Sequence, residues 1–190
     1  LVIDMCAAPG GKTFQALDYG AKLQSFEKNI NKVNLMKKNL QRLNFNHNIY
    51  IQDILKTNIE KKYDVVLLDA PCTAVGTIRR NPEIFYRRQN PDINKIVSLQ
   101  YKLLEKAKAI VKRNGVIVYM VCSFLKEEGE DQIKLFLKKN KNFKLNQFNE
   151  KNNFYKRFIN KNGLISILPQ KVNNYFFIDG FFAAKLTKYD

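Results

Sequence analysis

The stretch LVIDMCAAPGGKT, residues 1–13, decides the fold of this 190-residue chain. Its first four residues, Leu1 to Asp4, predict a buried strand. Small residues from Cys6 to Gly11 follow and lead into a helix. Such a loop lets backbone N–H groups approach an anionic or polar ligand at the helix N-terminus. The stretch therefore predicts a strand, a ligand-binding loop and a helix, in that order.

Two common nucleotide-binding patterns do not fit this loop. Gly11-Lys12-Thr13 resembles the end of a phosphate-binding P-loop, but that pattern requires glycine at the position of Cys6. The dinucleotide pattern G-x-G-x-x-G does not occur either. The remaining interpretation is a loop for an adenosyl or amino-acid group, with a plain tight turn as the structural alternative.

Short apolar runs alternate with segments of helical period along the rest of the chain, which is typical of βαβ units. Covering helices are predicted over Ile30–Leu43 and Ile93–Val111, and Asn114 with Gly115 is predicted to cap the second. The sequence thus predicts one α/β domain with a mostly parallel sheet. The predicted strands are Leu1–Asp4, Leu23–Phe26, Ile49–Gln52, Val65–Leu68, Val116–Val121, Lys144–Phe148, Leu164–Leu168 and Phe181–Leu186.

Composition restricts the class of protein. The formal charge of +16 favours a polyanionic partner, nucleic acid first, although AT-rich coding would also enrich the abundant Lys and Asn. Three widely spaced cysteines without a CxxC pair argue against a disulfide framework and a zinc site, so we expect no metal. Because no apolar run approaches the ~18 residues of a membrane span, we expect no membrane partner. We also expect a cytoplasmic protein that is monomeric.

Acidic residues end the second and third predicted strands, at the edge where parallel sheets bind ligands. Glu27 can accept both hydroxyls of a ribose, or it can be a solvated charge beside Lys28. Asp53 can reach an adenine amino group, or it can cap a turn. Taken alone, each acid fits the structural alternative better.

The next two strands are followed by a carboxylate and two cysteines. Asp69 and Cys72 follow the fourth strand, and Cys122 follows the fifth. A single strand-end cysteine is more often inert than reactive, but two beside a ligand loop would face one cleft. Arginines after the fourth predicted strand are candidates for phosphate contacts, with a solvated face as the alternative: Arg79, Arg80, Arg87 and Arg88.

Four segments now identify a family. They are DMCAAPGGKT (4–13), LLDAPCTAVGTIRRNPEI (67–84), VYMVCSFLKEEGE (118–130) and DGFFAAKL (179–186). In this order they resemble the RsmB/NSun family of RNA cytosine-5 methyltransferases, which depend on S-adenosylmethionine, and the likeness is greatest to the bacterial enzymes of small-subunit (16S) rRNA. The resemblance implies the class I, Rossmann-like methyltransferase fold, whose seven-stranded sheet is mostly parallel with the last strand antiparallel.

The resemblance also implies where the cofactor binds. Glu27 would bind the ribose and Asp53 the adenine of S-adenosylmethionine. Asp69 would lie between the cofactor and the target base. The methionine part would be held by Cys6, Ala7, Ala8, Pro9, Gly10, Gly11 and Lys12.

For catalysis the resemblance implies Cys122 as nucleophile and Cys72 as the cysteine associated with product release. The chemistry agrees, because thiolate addition at carbon 6 of cytosine makes carbon 5 reactive toward a methyl sulfonium. The carbon 5 proton must then leave before the thiol is expelled, which requires a base and a second polar group. Cys72, Asp69 and Lys12 are the candidates. The base must also be unstacked, as in single-stranded or flipped RNA.

Two departures and several alternatives remain. Val121 precedes the nucleophile where the family usually has Thr, and Glu27 stands where Asp is commoner. A tRNA or DNA cytosine-5 methyltransferase is the alternative enzyme, the latter with Cys72 as nucleophile, and a non-catalytic rRNA- or cofactor-binding module is the alternative class. Because Leu1 already belongs to a strand, we expect residues 1–190 to be the catalytic domain of a longer protein whose RNA-recognition region lies upstream.

Overall fold

The computed structural model describes residues 1–86, 91–148, 153–174 and 176–189. Its strands are β1 (Val2–Asp4), β2 (Leu23–Phe26), β3 (Ile49–Tyr50), β4 (Tyr63–Asp69), β5 (Val111–Val121), β6 (Phe143–Asn146), β7 (Ile165–Ile167), β8 (Gln170–Lys171), β9 (Phe177–Ile178) and β10 (Phe181–Lys188). Its α-helices are α1 (Gly11–Asp18), α2 (Ile30–Arg42), α3 (Ile93–Ile110), α4 (Glu130–Lys139) and α5 (Asn153–Lys156). Short 3₁₀ helices span Val75–Thr77 and Pro82–Tyr86.

The main sheet has the strand order β3-β2-β1-β4-β5-β10-β6. The pairs among β3, β2, β1, β4 and β5 are parallel, and β10 is antiparallel to β5 and β6. This arrangement confirms the predicted class I methyltransferase fold with an antiparallel last strand. An additional strand, β7, pairs with the first half of β10, and β8 and β9 form a separate hairpin that the sequence did not predict.

The sheet forms where the apolar residues predict it. Ile3, Val66 and Ile117, on three neighbouring parallel strands, are fully buried in one core cluster, and Leu104 of α3 joins them. Burial of side chains of this size stabilises the fold by about 1.5–3 kcal/mol each. Asn29 caps the N-terminus of α2, and its side chain accepts hydrogen bonds from the backbone N–H groups of the first turn. The core therefore fixes the strands and leaves their ends for the site.

The predicted helix cap at Asn114 and Gly115 was wrong. α3 ends at Ile110, and both residues lie inside β5. The register between β4 and β5 shifts there, since Tyr63 pairs with Val111 but Val65 pairs with Val116. Asn114 takes a left-handed conformation with φ of 58°. Asn114 thus supplies the positive φ of a bulged strand, and an Asn-Gly pair is equally typical of a helix end.

Several loops meet at one edge of the sheet. The carboxyl ends of β1, β2, β4 and β5 point to the same side because these strands are parallel. The amino end of the antiparallel strand β10 also lies there, as Phe182 pairs with Val121. This edge therefore carries Asp4, Glu27, Asp69, Cys122 and Asp179.

Candidate active site

An ion pair joins the first turn of α1 to the end of β4. Lys12 Nζ donates a hydrogen bond to Asp69 Oδ2 over 2.6 Å, and both side chains are partly buried. Burial alone would lower the pKa of Lys12, but the charge and hydrogen bond of Asp69 outweigh it and the pKa is raised. The ammonium group therefore stays charged at neutral pH, beside the strand ends that carry the cysteines.

Both members of that ion pair affect the pKa of the Cys122 thiol. Burial raises the pKa of its thiol, and the Asp69 carboxylate raises it further. The cations Lys12 and Arg80 act in the opposite direction and favour the thiolate. The structure thus brings the predicted nucleophile together with Lys12 and Asp69.

Cys72 is a neighbour of Cys122 but has a less favourable environment for a thiolate. Burial raises its pKa to about 12, with contributions from the charges of Glu128 and Cys122. Backbone N–H groups of Ala74 and Cys122 oppose the shift without cancelling it. The two thiols are therefore close enough to influence each other, and Cys72 is a neutral thiol at physiological pH.

Backbone contacts hold the two cysteine loops and the start of β10 together. Gly76 donates its N–H to the carbonyl oxygen of Cys122 over 3.0 Å. Gly180 in turn donates its N–H to the carbonyl of Gly76 over 2.8 Å. These bonds fix the segment after β4 against the segment after β5, so the relative position of Cys72 and Cys122 is part of the fold.

The loop after β1 is compact and tied to the sheet. Ala7 donates its N–H to the carbonyl of Phe26 over 2.9 Å. Gly10 has φ of 111°, and a Cβ there would overlap the ring of Phe14. Glycine is therefore required at this position, and the loop stays narrow enough for a ligand to approach its backbone.

Asp4 lies fully buried at the end of β1. Its carboxylate accepts hydrogen bonds from Thr13 Oγ1 at 2.7 Å and from the N–H of Cys6 at 3.3 Å. Burial raises its pKa to about 6, and the nearby Asp69 adds to the shift. Burial also raises the pKa of Cys6, so that thiol is inert at neutral pH.

Glu27 and Asp53 reach the expected edge but also have local roles. Glu27 Oε1 accepts from the N–H of Asn29 at 2.9 Å, at the start of α2. Asp53 Oδ1 accepts from the N–H of Leu55 at 3.1 Å, and its other oxygen lies 3.7 Å from Lys28 Nζ. Asp53 therefore caps a turn, which is the alternative that the sequence allowed for it. Contact of Glu27 and Asp53 with a nucleoside stays a prediction.

Asp179 is a site residue that the sequence analysis did not single out. Its carboxylate lies 2.5 Å from Arg80 Nη2 and 3.9 Å from Arg79 Nη2, and its charge acts on Cys122. The guanidinium of Arg79 also lies 5.0 Å from the ring centre of Phe177. The feature of the sequence that could have indicated Asp179 is the Asp-Gly pair, Asp179-Gly180, directly before β10. Of the other predicted arginines, Arg87 and Arg88 lie outside the described residues.

The structure adds three negative observations. All three cysteines are free thiols. Among the described residues, no group of three or more His, Cys, Asp or Glu side chains could hold a metal ion. No helix in the described parts of the chain has the length and hydropathy needed to cross a membrane.

Comparison with known proteins identifies the family of this site. Residues 1–187 match the family described as 16S rRNA methyltransferase RsmB/F. The chain belongs to the RsmB/F family. It is 38% identical over 143 residues to ribosomal RNA small subunit methyltransferase B of Yersinia enterocolitica, and the same identity is found with the Yersinia pseudotuberculosis protein. These matches cover 73% of this chain but only 33% of each curated relative.

Solved structures agree with the RsmB/F assignment. The crystal structure of NSun6 from Pyrococcus horikoshii with SFG covers all of this chain and 48% of its own, with a TM-score of 0.82 and 31% identity. A methyltransferase homologue from the same organism has a TM-score of 0.73 and 29% identity, over 99% of this chain and 61% of its own. RsmB/F proteins are S-adenosylmethionine-dependent methyltransferases, which confirms the predicted cofactor.

The residues present fit this cofactor. The N-cap residue of α1 is Gly10, which has no side chain to bond the N–H groups of the first turn, and such groups suit a carboxylate. Glu27 directly follows β2, and Asp53 lies in the turn after the adjacent strand β3. Both carboxylates can accept hydrogen bonds from hydroxyl and amino groups. Lys12, at the end of this loop, is hydrogen-bonded to Asp69, and the charges of both residues act on Cys122.

Proposed function

We propose that this chain methylates carbon 5 of a cytosine in RNA, with S-adenosylmethionine as methyl donor and through a covalent bond between Cys122 and the base. Small-subunit (16S) rRNA is the proposed substrate. The observation that carries the proposal is the placement of Cys72 and Cys122 beside each other at the ends of adjacent strands, next to the Lys12–Asp69 ion pair. We further propose that residues 1–190 form the catalytic part of a longer methyltransferase.

The cofactor supplies an electrophilic methyl group when it is bound. The loop from Cys6 to Lys12 would hold its methionine part, Glu27 its ribose and Asp53 its adenine. Asp69 would separate the cofactor from the target base, and Lys12 keeps Asp69 in place through the 2.6 Å hydrogen bond.

Cys122 is assigned as the nucleophile because its surroundings favour a thiolate more than those of Cys72 do. Burial raises the pKa of both thiols. At Cys122 the cations Lys12 and Arg80 oppose this rise, whereas at Cys72 burial and the charge of Glu128 raise the pKa to about 12. The Cys122 thiolate forms a bond with carbon 6 of cytosine, and carbon 5 then becomes the attacking atom. This difference also weighs against a DNA-type mechanism, in which Cys72 would attack.

Product release requires two bonds to break. The proton leaves carbon 5, the double bond between carbons 5 and 6 re-forms, and the bond between carbon 6 and Cys122 Sγ breaks. Asp69 can accept the carbon 5 proton first. Cys72, as a neutral thiol, then donates its proton to the departing Cys122 thiolate and is re-protonated by Asp69. Its position beside Cys122 supports this role.

The charge of the chain supports an RNA substrate. A formal charge of +16 supplies phosphate attraction that is independent of sequence and weakens with salt. Arg79 and Arg80 remain 45% and 62% exposed while paired with Asp179, so phosphate contacts are open to them near Cys122. Selection of one cytosine needs base or shape readout in addition.

The test combines the protein with S-adenosylmethionine labelled in its methyl group and an unmodified 16S rRNA transcript. We expect label in 5-methylcytosine after nuclease digestion. Cys122→Ala should abolish transfer and leave cofactor affinity unchanged, because the thiol acts on the base. Cys72→Ala should accumulate an RNA–protein adduct that is visible on denaturing gels.

Three outcomes would contradict the proposal. Absence of 5-methylcytosine with every RNA tried, while the cofactor binds, would favour a non-catalytic module. Adduct accumulation in Cys122→Ala instead of Cys72→Ala would reverse the two roles. Faster methylation of a DNA duplex of the same sequence would favour the DNA enzyme.

A further inference from the structure

Glu128 is a completely buried carboxylate that no step above uses. It lies in the loop after β5, with 0% of its surface exposed. Its Oε1 accepts hydrogen bonds from the N–H of Thr73 at 2.9 Å and from Gln100 Nε2 at 3.1 Å. Its Oε2 accepts from Thr73 Oγ1 at 2.6 Å. Three donors thus converge on one carboxylate, which is the compensation that a buried charge needs.

These bonds hold the segment that carries Cys72 from both sides. On the carboxyl side, Glu128 binds both the backbone and the hydroxyl of Thr73. On the amino side, Gln100 donates to the carbonyl of Pro71 over 2.9 Å, and the same amide group reaches Glu128. Cys72 lies between the two held residues, so its backbone is restrained on each side.

Cys122 does not depend on Glu128 in the same way. It directly follows β5, whose residue Val121 pairs with Phe182 of β10. Its carbonyl is bonded to Gly76. Removal of the Glu128 carboxylate therefore loosens the Cys72 segment first and leaves Cys122 on its strand.

We propose that Glu128 is a positioning residue for product release: it holds Cys72 beside Cys122 by binding Thr73 and Gln100. The inference rests on the proposed function. In the release step Asp69 accepts the carbon 5 proton, the C5–C6 double bond re-forms and the C6–Sγ bond breaks. Cys72 gives its proton to Cys122 and regains one from Asp69. A displaced Cys72 cannot give its proton to Cys122, whereas attack by Cys122 and methyl transfer do not require Cys72.

The test uses Glu128→Gln, with Glu127→Gln as the matched control. Both variants lose one negative charge at neighbouring positions, but Glu127 is exposed. A 16S rRNA transcript and labelled S-adenosylmethionine are supplied, and the first turnover is compared with steady-state turnover. We expect Glu128→Gln to retain the first methyl transfer within about threefold, to lose at least tenfold in steady-state turnover, and to accumulate the RNA–protein adduct. Glu127→Gln should match the unchanged protein in all three.

A purely structural role for Glu128 predicts a different result. First and later turnovers would then fall by the same factor, without an adduct, and the inference would be overturned. Equal turnover of Glu128→Gln and unchanged protein would overturn it as well. If Glu128→Gln does not fold, Thr73→Val is the second variant. It removes the hydroxyl that donates to Glu128 and accepts from the N–H of Val75 at 3.5 Å, and it should give the same selective loss with a smaller magnitude.

A double variant gives an independent test. Because Glu128 acts through Cys72 in this proposal, Cys72→Ala combined with Glu128→Gln should accumulate no more adduct than Cys72→Ala alone. More adduct in the double variant than in Cys72→Ala alone would overturn the inference. Failure of the proposed function would look different. The unchanged protein would then give no 5-methylcytosine, and no Glu128 variant would give an adduct.

Discussion

Gly76 and Gly180 touch backbone to backbone beside the carbonyl of Cys122. The N–H of Gly180 donates to the carbonyl of Gly76, and a Cβ built on Gly180 would lie 2.9 Å from the Cα of Gly76. A Cβ on Gly76 would lie 2.9 Å from the Cys122 carbonyl oxygen and would overlap Gly180. Three loops therefore approach each other only because these two residues lack side chains.

Gly76→Ala should destabilise the protein because backbone atoms must move to admit the methyl group. We expect the free energy of unfolding to fall by about 1–3 kcal/mol, the usual range for overpacking. Gly11→Ala is the matched control, since nothing lies within 4 Å of a Cβ there and alanine favours the helix. Urea unfolding measures the stability of both variants. Equal unfolding midpoints for Gly76→Ala and Gly11→Ala would show that the loops can move apart without loss of stability.

Lys12→Gln and Asp69→Asn should move the reactivity of Cys122 in opposite directions. Loss of Lys12 removes a charge that lowers the pKa of the thiol, and loss of Asp69 removes one that raises it. At pH 8 we expect alkylation of Cys122 to be slower in Lys12→Gln and faster in Asp69→Asn, each by roughly two- to tenfold. A tenfold change corresponds to a shift of about one unit in the pKa of the thiol. Peptide mass spectrometry resolves the three cysteines, and Lys126→Gln is an exposed control. A shift in the same direction for both variants would contradict the arrangement.

Asp4→Asn should stabilise the protein at high pH. Burial raises the pKa of Asp4 from 3.8 to about 6, so the folded state binds its proton more tightly than the unfolded state. The free energy of unfolding therefore falls as the pH rises from about 4 to 6, and the loss persists above that. At about 1.4 kcal/mol per pKa unit, the variant gains about 3 kcal/mol at pH 8 and about half of that at pH 5.

The amide of the Asp4→Asn variant can keep both local contacts, with its oxygen accepting from the N–H of Cys6 and its nitrogen donating to Thr13 Oγ1. Thermal melting at the two pH values measures the gain. A variant that melts below the unchanged protein at pH 8 would show that the lost charge was stabilising.

Glu27→Ala should weaken S-adenosylmethionine binding by about 1.5–3 kcal/mol, the range for hydrogen bonds to a charged group. Titration calorimetry measures the affinity, and Glu60→Ala removes an exposed carboxylate elsewhere as the control. Unchanged affinity would leave Glu27 with its bond to Asn29 at the start of α2 as its whole role.

The sequence predicted the parts of the site that depend on local order. Asp69 and Cys122 were located because each follows an apolar strand, and parallel strands must end on one edge. Asp179 and Glu128 were missed because their importance comes from partners far along the chain, Arg80 and Thr73. The error at Asn114 has a related cause, since a positive φ serves a helix end and a bulged strand equally well and only pairing with β4 separates them.

The position of β10 has a consequence for synthesis of the protein. This strand is the last of the described chain, yet it lies between β5 and β6 in the sheet. Until its residues have left the ribosome, the long strand β5 has an open edge, and open edges invite pairing with other chains. The same late segment brings Asp179 to Cys122. We therefore expect the nascent chain to depend on chaperones at β5 until β10 has been synthesised, and Cys122 to acquire its surroundings only after that.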